Sequence, residues 1–340
     1  MVSNPGISSD RDCTIPCNLC TSVSVETLSL RDRKGKYLRT VICRKCGLIW
    51  SDPRPDDTAV LSFYSKHYRK EYKGITAPKK KHVYRDAKSA MKRYAFFKDI
   101  LKTGNRLIDI GAGNGIFVYC MRKMGFNAEG VSPDEGFSRY AREALDLPVL
   151  TGFAKDIDKK NYYRFVTLHH VLEHMTDPLA ELKNIWEMLQ NDGFLYVSVP
   201  NAEDVMQDPG HRYHKAHIYT FNPETLTALG QKAGFELLRL ETAPCNGNIS
   251  VLFKKKNGPL ESPVHLDGNY SKIVNILNNH TTLRHFASAV PYKKALMSMW
   301  TAVIERLNIG KFSDDREMID TVVSTSLQPT LTGVEQTGHE

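Results

Sequence analysis

From residue 105 onward, short apolar runs alternate with amphipathic stretches, and this alternation predicts successive βα units building a parallel sheet. The runs at 106–110, 127–131, 148–150, 164–169, 193–199, 236–241 and 249–254 read as strands, and helices are expected to begin near Gly115, Asp134, Asp177 and Pro223. The run 194–199, bounded by Asp192-Gly193 and Pro200-Asn201, has the form of a buried strand. The predicted architecture over residues 105–256 is an α/β fold: a doubly wound, mostly parallel seven-stranded sheet.

The flanking segments follow other rhythms. Between residues 22 and 41, Leu28, Leu30, Tyr37, Leu38 and Val41 alternate around a Lys34-Gly35 turn, which predicts a small hairpin within an N-terminal module spanning 1–56. Residues 57–104 are polar and aromatic with helical spacing, as at Tyr84, Met91, Tyr94, Ala95 and Leu101, broken at Gly74 and Pro78, and read as a helical connector. Residues 257–320 read as a helical extension with two runs separated by Pro291, one of them carrying Ala295, Leu296, Met299, Trp300, Val303 and Leu307 on one face. Residues 321–340 read as a disordered tail, and no internal repeat is evident.

At 340 residues, 41% hydrophobic and 25% charged, the composition is that of a soluble globular protein. No apolar run approaches the roughly 18 residues of a membrane span, and segment 1–13 lacks the apolar stretch of a signal peptide, so a cytoplasmic location is expected. Charge changes the picture more. Residues 1–104 carry 22 Lys and Arg against 10 Asp and Glu, a net +12, while the remainder carries 24 against 28, a net −4. Such a basic third suits a phosphorylated ligand, nucleic acid or an acidic surface, or is simply a solvated face.

Five of the seven cysteines lie within the first 46 residues. Cys17-x-x-Cys20 and Cys43-x-x-Cys46, 22 residues apart, form two knuckles that the hairpin brings together, the pattern of a closed, structural tetrahedral zinc site with Cys13 as a spectator. A second signal follows the first strand of the sheet, where Gly111, Gly113 and Gly115 alternate directly after Leu107-Ile108-Asp109-Ile110. This loop is one residue tighter than a dinucleotide fingerprint and has an acid inside the preceding strand, which suits a ligand bearing an ammonium better than a diphosphate.

The run from Leu107 to Gly115 resembles the first motif of class I S-adenosylmethionine-dependent methyltransferases, and the resemblance, to a Rossmann-like fold, extends over about residues 105–255. It implies that Asp109 lies near the amino group of the methionine part, and that Gly111, Ala112, Gly113, Asn114 and Gly115 wrap the amino-acid end and ribose. Ser132 stands where the family carries an acidic ribose ligand; Asp134 either substitutes for it or caps the next helix. Phe153 falls where adenine contacts are made, or else in the core. The run from Leu168 to Pro178 resembles a segment of methyltransferases acting on small molecules and sugars, which implies that His169 and His170 border the cofactor while Glu173 and His174 fix the helix that follows. Arg164 replaces an acid common in that family.

The cysteine module and the run from Cys46 to Pro55 are similar to the N-terminal zinc ribbon of sugar and natural-product methyltransferases, in which Tyr64, His67 and Tyr68 would belong to a substrate-facing segment. The loop from His211 to Phe221 resembles the acceptor loop of sugar C-methyltransferases and implies His217 as base, with His214 and Tyr219 beside it. Ala216 replaces the family's glutamate and His214 its tyrosine, so O-methylation stands level with C-methylation. Neutral imidazole suits proton removal from a hydroxyl. A second metal at His211, His214 and His217 is an alternative use of the same residues. The expected function is methyl transfer from S-adenosylmethionine to a small molecule, a sugar or nucleotide-linked sugar, in a zinc-stapled enzyme. RNA methylation and a catalytically degenerate binding protein are the rival readings, and the oligomeric state is open.

Overall fold

The computed structural model describes residues 15–56, 60, 78–243, 247–256, 258–259 and 264–328. Cys13, Tyr64, His67, Tyr68, Gly74, Cys245 and residues 329–340 lie outside that set. Strands β1 (Val25–Arg31) and β2 (Tyr37–Cys43) form the expected antiparallel hairpin. Its turn is held by the Asp32 carboxylate, which accepts from the backbone N–H of Lys34 and Lys36 at 2.9 and 2.8 Å. β3 (Ile49–Ser51) pairs with β2.

The larger sheet has seven strands: β4 (Arg106–Ile110), β5 (Asn127–Ser132), β6 (Val149–Thr151), β7 (Tyr163–His169), β8 (Leu189–Pro200), β10 (Phe235–Ala243) and β11 (Asn248–Lys255). Their order is β10-β11-β8-β7-β4-β5-β6, parallel except for the antiparallel pairing of β11 with its two neighbours. This is the mostly parallel, Rossmann-like sheet the apolar runs predict. The order reverses at β4, so ligands are expected beyond the carboxyl ends of β4, β5 and β7.

Helices α1 (Lys80–Phe97), α2 (Ile116–Lys123), α3 (Glu135–Glu143), α4 (Pro178–Met188) and α5 (Pro223–Lys232) flank the sheet. Three of their starts are chemically marked. The side chains of Asp134, Asp177 and Asn222 accept from the backbone N–H of Phe137, Ala180 and Thr225, and proline occupies the first turn of α4 and α5. On α1 the buried face is Val83, Tyr84, Ala87, Ala90, Met91 and Phe97, while Ala95 points outward.

Two expectations are corrected. The segment after Lys256 holds α6 (Asn269–Asn279), α7 (Thr282–Ala287), α8 (Val290–Ile309) and α9 (Asp315–Leu327), not two runs split at Pro291. Pro291 sits in the first turn of α8, where its missing N–H costs nothing. The tail expected to be disordered from 321 is helical through Leu327, because Met318, Ile319, Val322 and Val323 bury one stripe against α1 and α2. The small cysteine module also gains a strand from far along the chain: β9 (Tyr219–Thr220) pairs with β3, setting Tyr219 opposite Trp50. That strand is the end of the histidine loop.

Candidate functional site

Beyond the carboxyl ends of β4 and β5 lies a cavity of about 530 Å³, within the usual range of small-molecule sites. Gly111, Gly113, Ser132, Asp134 and Phe153 line one side, and His170, Val171, His174, Met175 and Thr176 the other. Gly111 has φ +77°, and a β-carbon there would come within 2.3 Å of Val171 Cγ2. Gly113 has φ +56°, and nothing comes nearer than 3.9 Å, at Phe137, to the place its β-carbon would take. The loop is therefore a backbone cradle open toward the cavity. It is braced from beneath, since the N–H groups of Gly111 and Ala112 both donate to the Val131 carbonyl, at 2.8 and 2.9 Å.

Of the residues the sequence marks for a cofactor, Gly111, Gly113, Ser132, Asp134, Phe153 and His170 line this cavity. Asp109, Ala112, Asn114, Gly115 and His169 are not among its lining residues. Asp109 is buried, accepts a hydrogen bond from the Thr167 hydroxyl, and is paired with the Arg93 guanidinium at 3.6 Å. Burial pushes its carboxyl up, against the pull of Arg93 and Thr167. Asn114 donates to Asp86 on α1 at 2.6 Å. His169 is held neutral by burial and by Arg93 nearby. Arg93 lies in the connector segment, where nothing in the local pattern ties it to a strand acid sixteen residues later.

The far side of the site is a cluster of histidines around one carboxylate. Glu173 is 1% exposed, and its Oε1 lies 3.2 Å from His170 Nδ1, 3.8 Å from His174 Nε2 and 3.9 Å from His217 Nε2. The His214 and His217 rings are 3.7 Å apart, and those of His174 and His217 4.9 Å. Burial would raise the Glu173 carboxyl, but His174 and His170 prevail and hold it below its usual range. Burial and its imidazole neighbours hold His217 well below the ordinary histidine value, and burial with Arg33 brings His214 down to about 4. His170 itself adopts φ +55°, uncommon for a non-glycine residue and compatible with a functional position.

Two sequence expectations fail here. Glu173 and His174 do not fix the following helix; they sit in a short 3-10 turn (Leu172–His174), and Asp177 caps α4 instead. The only hint in the sequence is a charged residue set directly after the apolar pair Val171-Leu172. Tyr219 is not part of the histidine cluster, and His214, His217 and Tyr219 are not among the residues lining the cavity. Tyr219 is 1% exposed, stacked 5.9 Å from Phe221, with its hydroxyl accepting from Arg54 and donating to the Thr176 carbonyl. Pairing of β9 with β3 turns it into the seam between the two sheets. His211 is likewise outside the cluster, 60% exposed in its side chain and facing Asp208 at 3.4 Å.

The four knuckle cysteines are buried, with Cys17 Sγ 3.5 Å from Cys46 Sγ and Cys20 Sγ 3.4 Å from Cys43 Sγ. All four sulfurs lie within 4.8 Å of one another. Tetrahedral zinc with bonds of about 2.3 Å sets sulfurs about 3.8 Å apart, so the set fits that ion. Around it, Asn18 bonds Asp177 and the Leu179 N–H, Lys232 donates to the Leu19 carbonyl at 2.6 Å, and Asn269 to the Cys46 carbonyl at 2.8 Å. The module thereby holds the histidine loop, through Arg33 N–H to Tyr213 O and Ser51 N–H to Ile218 O, both 2.8 Å.

Residues 80–240 match a family model described as a methyltransferase domain. The ubiquinone biosynthesis O-methyltransferase of Shewanella sp. (strain ANA-3) is 29% identical over 105 residues, 29% of this chain and 44% of that protein. That of Coxiella burnetii (strain Dugway 5J108-111) is 25% identical over 135 residues, 36% of this chain and 51% of that protein. The chain thus spans about half the length of the curated relatives it matches. Among solved structures, the 1,6-didemethyltoxoflavin-N1-methyltransferase of Burkholderia thailandensis aligns over 63% of this chain and 97% of its own, with 16% identity and a TM-score of 0.44. Among the described residues no helix is long and apolar enough to cross a membrane.

Proposed function

We propose, from the match of residues 80–240 to a methyltransferase-domain model, that the protein transfers a methyl group from S-adenosylmethionine to a small-molecule hydroxyl. The observation that carries this reading is the cavity of about 530 Å³ lined by the glycine cradle on one side and by His170 and His174 on the other. The donor supplies a sulfonium-bound methyl group, and the chain's task is to position the two reactants in line and to accept a proton. Gly111 and Gly113 are assigned to its amino-acid end, Ser132 and Asp134 to the ribose, Phe153 to the adenine and His170 to the opposite wall. Asp109, Ala112, Asn114, Gly115 and His169 hold the loop from behind. Ser132 offers one hydroxyl where a carboxylate would grip both ribose oxygens, which weakens that end.

The acceptor side is assigned to His174, His214 and His217. Their imidazole wall suits a hydroxylated acceptor, and Ala216 leaves no glutamate at the position that C-methylation resembles most. We assign the acceptor to sugars or nucleotide-linked sugars, since the net +12 of residues 1–104 favours a phosphorylated molecule. The four cysteines are assigned to a structural zinc ion that fixes the histidine loop.

Calorimetry with S-adenosylhomocysteine, followed by tritiated-methyl transfer to a panel of sugars, nucleotide sugars, phenols and RNA, tests this reading. Binding of one equivalent and transfer to a small molecule are expected. No binding would remove the reading, and transfer confined to RNA would replace its acceptor. In the same assay Gly111→Ala is expected to weaken S-adenosylhomocysteine binding at least about tenfold, or ~1.4 kcal/mol. A left-handed alanine costs about 1–2 kcal/mol by itself, and its β-carbon displaces Val171 from the cavity wall. Adding Val171→Ala should recover only the steric part; full recovery would show that the φ requirement is immaterial.

A further inference from the structure

We propose that helix α8 and the basic stripe of α1 beside it form a docking surface for an anionic lipid bilayer, on which α8 lies without crossing. The sequence marks α8 as carrying an apolar face, and the structure turns that face outward. Tyr292, Leu296, Met299, Trp300, Val303 and Leu307 fall within an arc of about 100° on a helix of about 3.6 residues per turn. Each of them is between 53% and 69% exposed. Glu305, on the opposite face, is the one buried residue of the helix and fastens it to the domain through the Arg85 guanidinium of α1, at 2.7 and 2.6 Å. A surface helix ordinarily turns its apolar stripe to the core. Here the stripe meets solvent, with Met297 and Ile304 exposed at its margin, and contiguous large apolar side chains this exposed mark an interaction surface.

The charges beside the stripe say what covers it. Residues 295–304 carry no charge, Lys293, Lys294 and Arg306 flank them, and the only acid of α8 is Glu305, which Arg85 already neutralises. On α1, Lys81, Arg85, Lys88 and Lys92 follow helical spacing, so they share the face against which Glu305 sits, and all four are exposed. Asp86, the one acid of α1, lies about 100° around the helix from Arg85 and accepts from Asn114 at 2.6 Å. An apolar stripe with tryptophan at its middle, bordered by cations and with the neighbouring acid already paired, is the composition of a helix that lies in the headgroup layer of an anionic bilayer. A second copy of the chain fits less well. A two-fold interface would set Lys293, Lys294 and Arg306 against the same cations of the other copy, with no acid of α8 to answer them.

The test is flotation of the full chain with lipid vesicles. Vesicles of equal parts phosphatidylcholine and phosphatidylglycerol are expected to bind the protein at least about tenfold more strongly than phosphatidylcholine alone, and added salt should weaken that binding. Tryptophan fluorescence should shift to the blue as Trp300 leaves water. Trp300→Leu keeps the stripe apolar and should retain flotation while losing that shift. Leu296→Glu/Trp300→Glu should weaken binding at least about tenfold, and Lys81→Gln and Lys92→Gln about fivefold each. All these side chains are exposed, so the variants should melt with the parent, and flotation is read without methyl transfer. Absence of flotation, equal flotation on neutral vesicles, or flotation indifferent to Leu296→Glu/Trp300→Glu overturns the proposal. A dimer in sedimentation that Leu296→Glu/Trp300→Glu converts to monomer, with no vesicle binding, overturns it in favour of a second copy.

Discussion

Replacing Cys43 by serine is expected to lower the melting temperature by on the order of 10 °C and to reduce turnover far more than cofactor affinity. Cys43 is wholly buried, and its sulfur is 3.4 Å from that of Cys20. With one thiolate missing, a closed tetrahedral site loses its ion, and metal-binding energy in such modules is folding energy. The consequence spreads because the ribbon is not a separate bead. Leu19, Leu48 and Trp50 share one hydrophobic cluster with Tyr219, Phe221 and the central strands. Releasing the knuckles also frees Arg33 and Ser51 from the histidine loop they hold by backbone bonds. The glycine cradle is braced on β5 instead, so S-adenosylhomocysteine affinity should fall less than kcat. Thermal melting, zinc content after dialysis against a mild chelator, and calorimetry check the three parts. A variant that melts within about 2 °C of the parent would show that the cysteines hold no structural ion.

The central sheet is legible in the sequence because each strand is an apolar run bounded by turn residues, and the same holds for the helix starts, where Asp134, Asp177 and Asn222 precede their helices. What escapes such reading is pairing at a distance. β9 is two residues long and becomes a strand only because Trp50 offers it an edge, so Tyr219, which in sequence sits beside His217, ends in the seam between the sheets. The helix Asp315–Leu327 is hidden by its Asp, Thr and Ser content, and only the Met318, Ile319, Val322 and Val323 stripe betrays it. The site divides in the same way. The glycines that must adopt positive φ announce themselves by residue type. Glu173 does not, because its meaning comes from His217, forty-four positions away, and Arg93 acquires its meaning only when α1 packs against β4.

Arg93→Leu is expected to destabilise the fold by about 3–5 kcal/mol near neutral pH, the usual cost of leaving a buried charge without its partner. Arg93 and Asp109 have side chains only 11% and 5% exposed, and the guanidinium also lies over the Phe117 ring at 3.9 Å. Leucine keeps part of that packing, so the measured loss is mainly electrostatic. The pH dependence follows from the direction of the shift. Burial already pushes the Asp109 carboxyl above its unfolded value of about 3.9. A carboxyl whose folded pKa is raised binds more protons in the folded state than in the unfolded one, so stability declines as pH rises through that window. Without Arg93 the folded pKa rises further, and the variant's penalty grows with pH above the parent's folded value and shrinks as pH falls toward it. His169, kept neutral by burial and Arg93, can also gain a proton in the variant at acid pH. Arg93→Leu/Asp109→Asn separates the two contributions: it should recover most of the stability at neutral pH and retain only the His169 part of the pH dependence. Urea unfolding at pH 5 and pH 7.5 measures each case. An equal penalty at both pH values would mean that Arg93 supports the loop by packing alone and that Asp109 is solvated in a way its burial does not suggest.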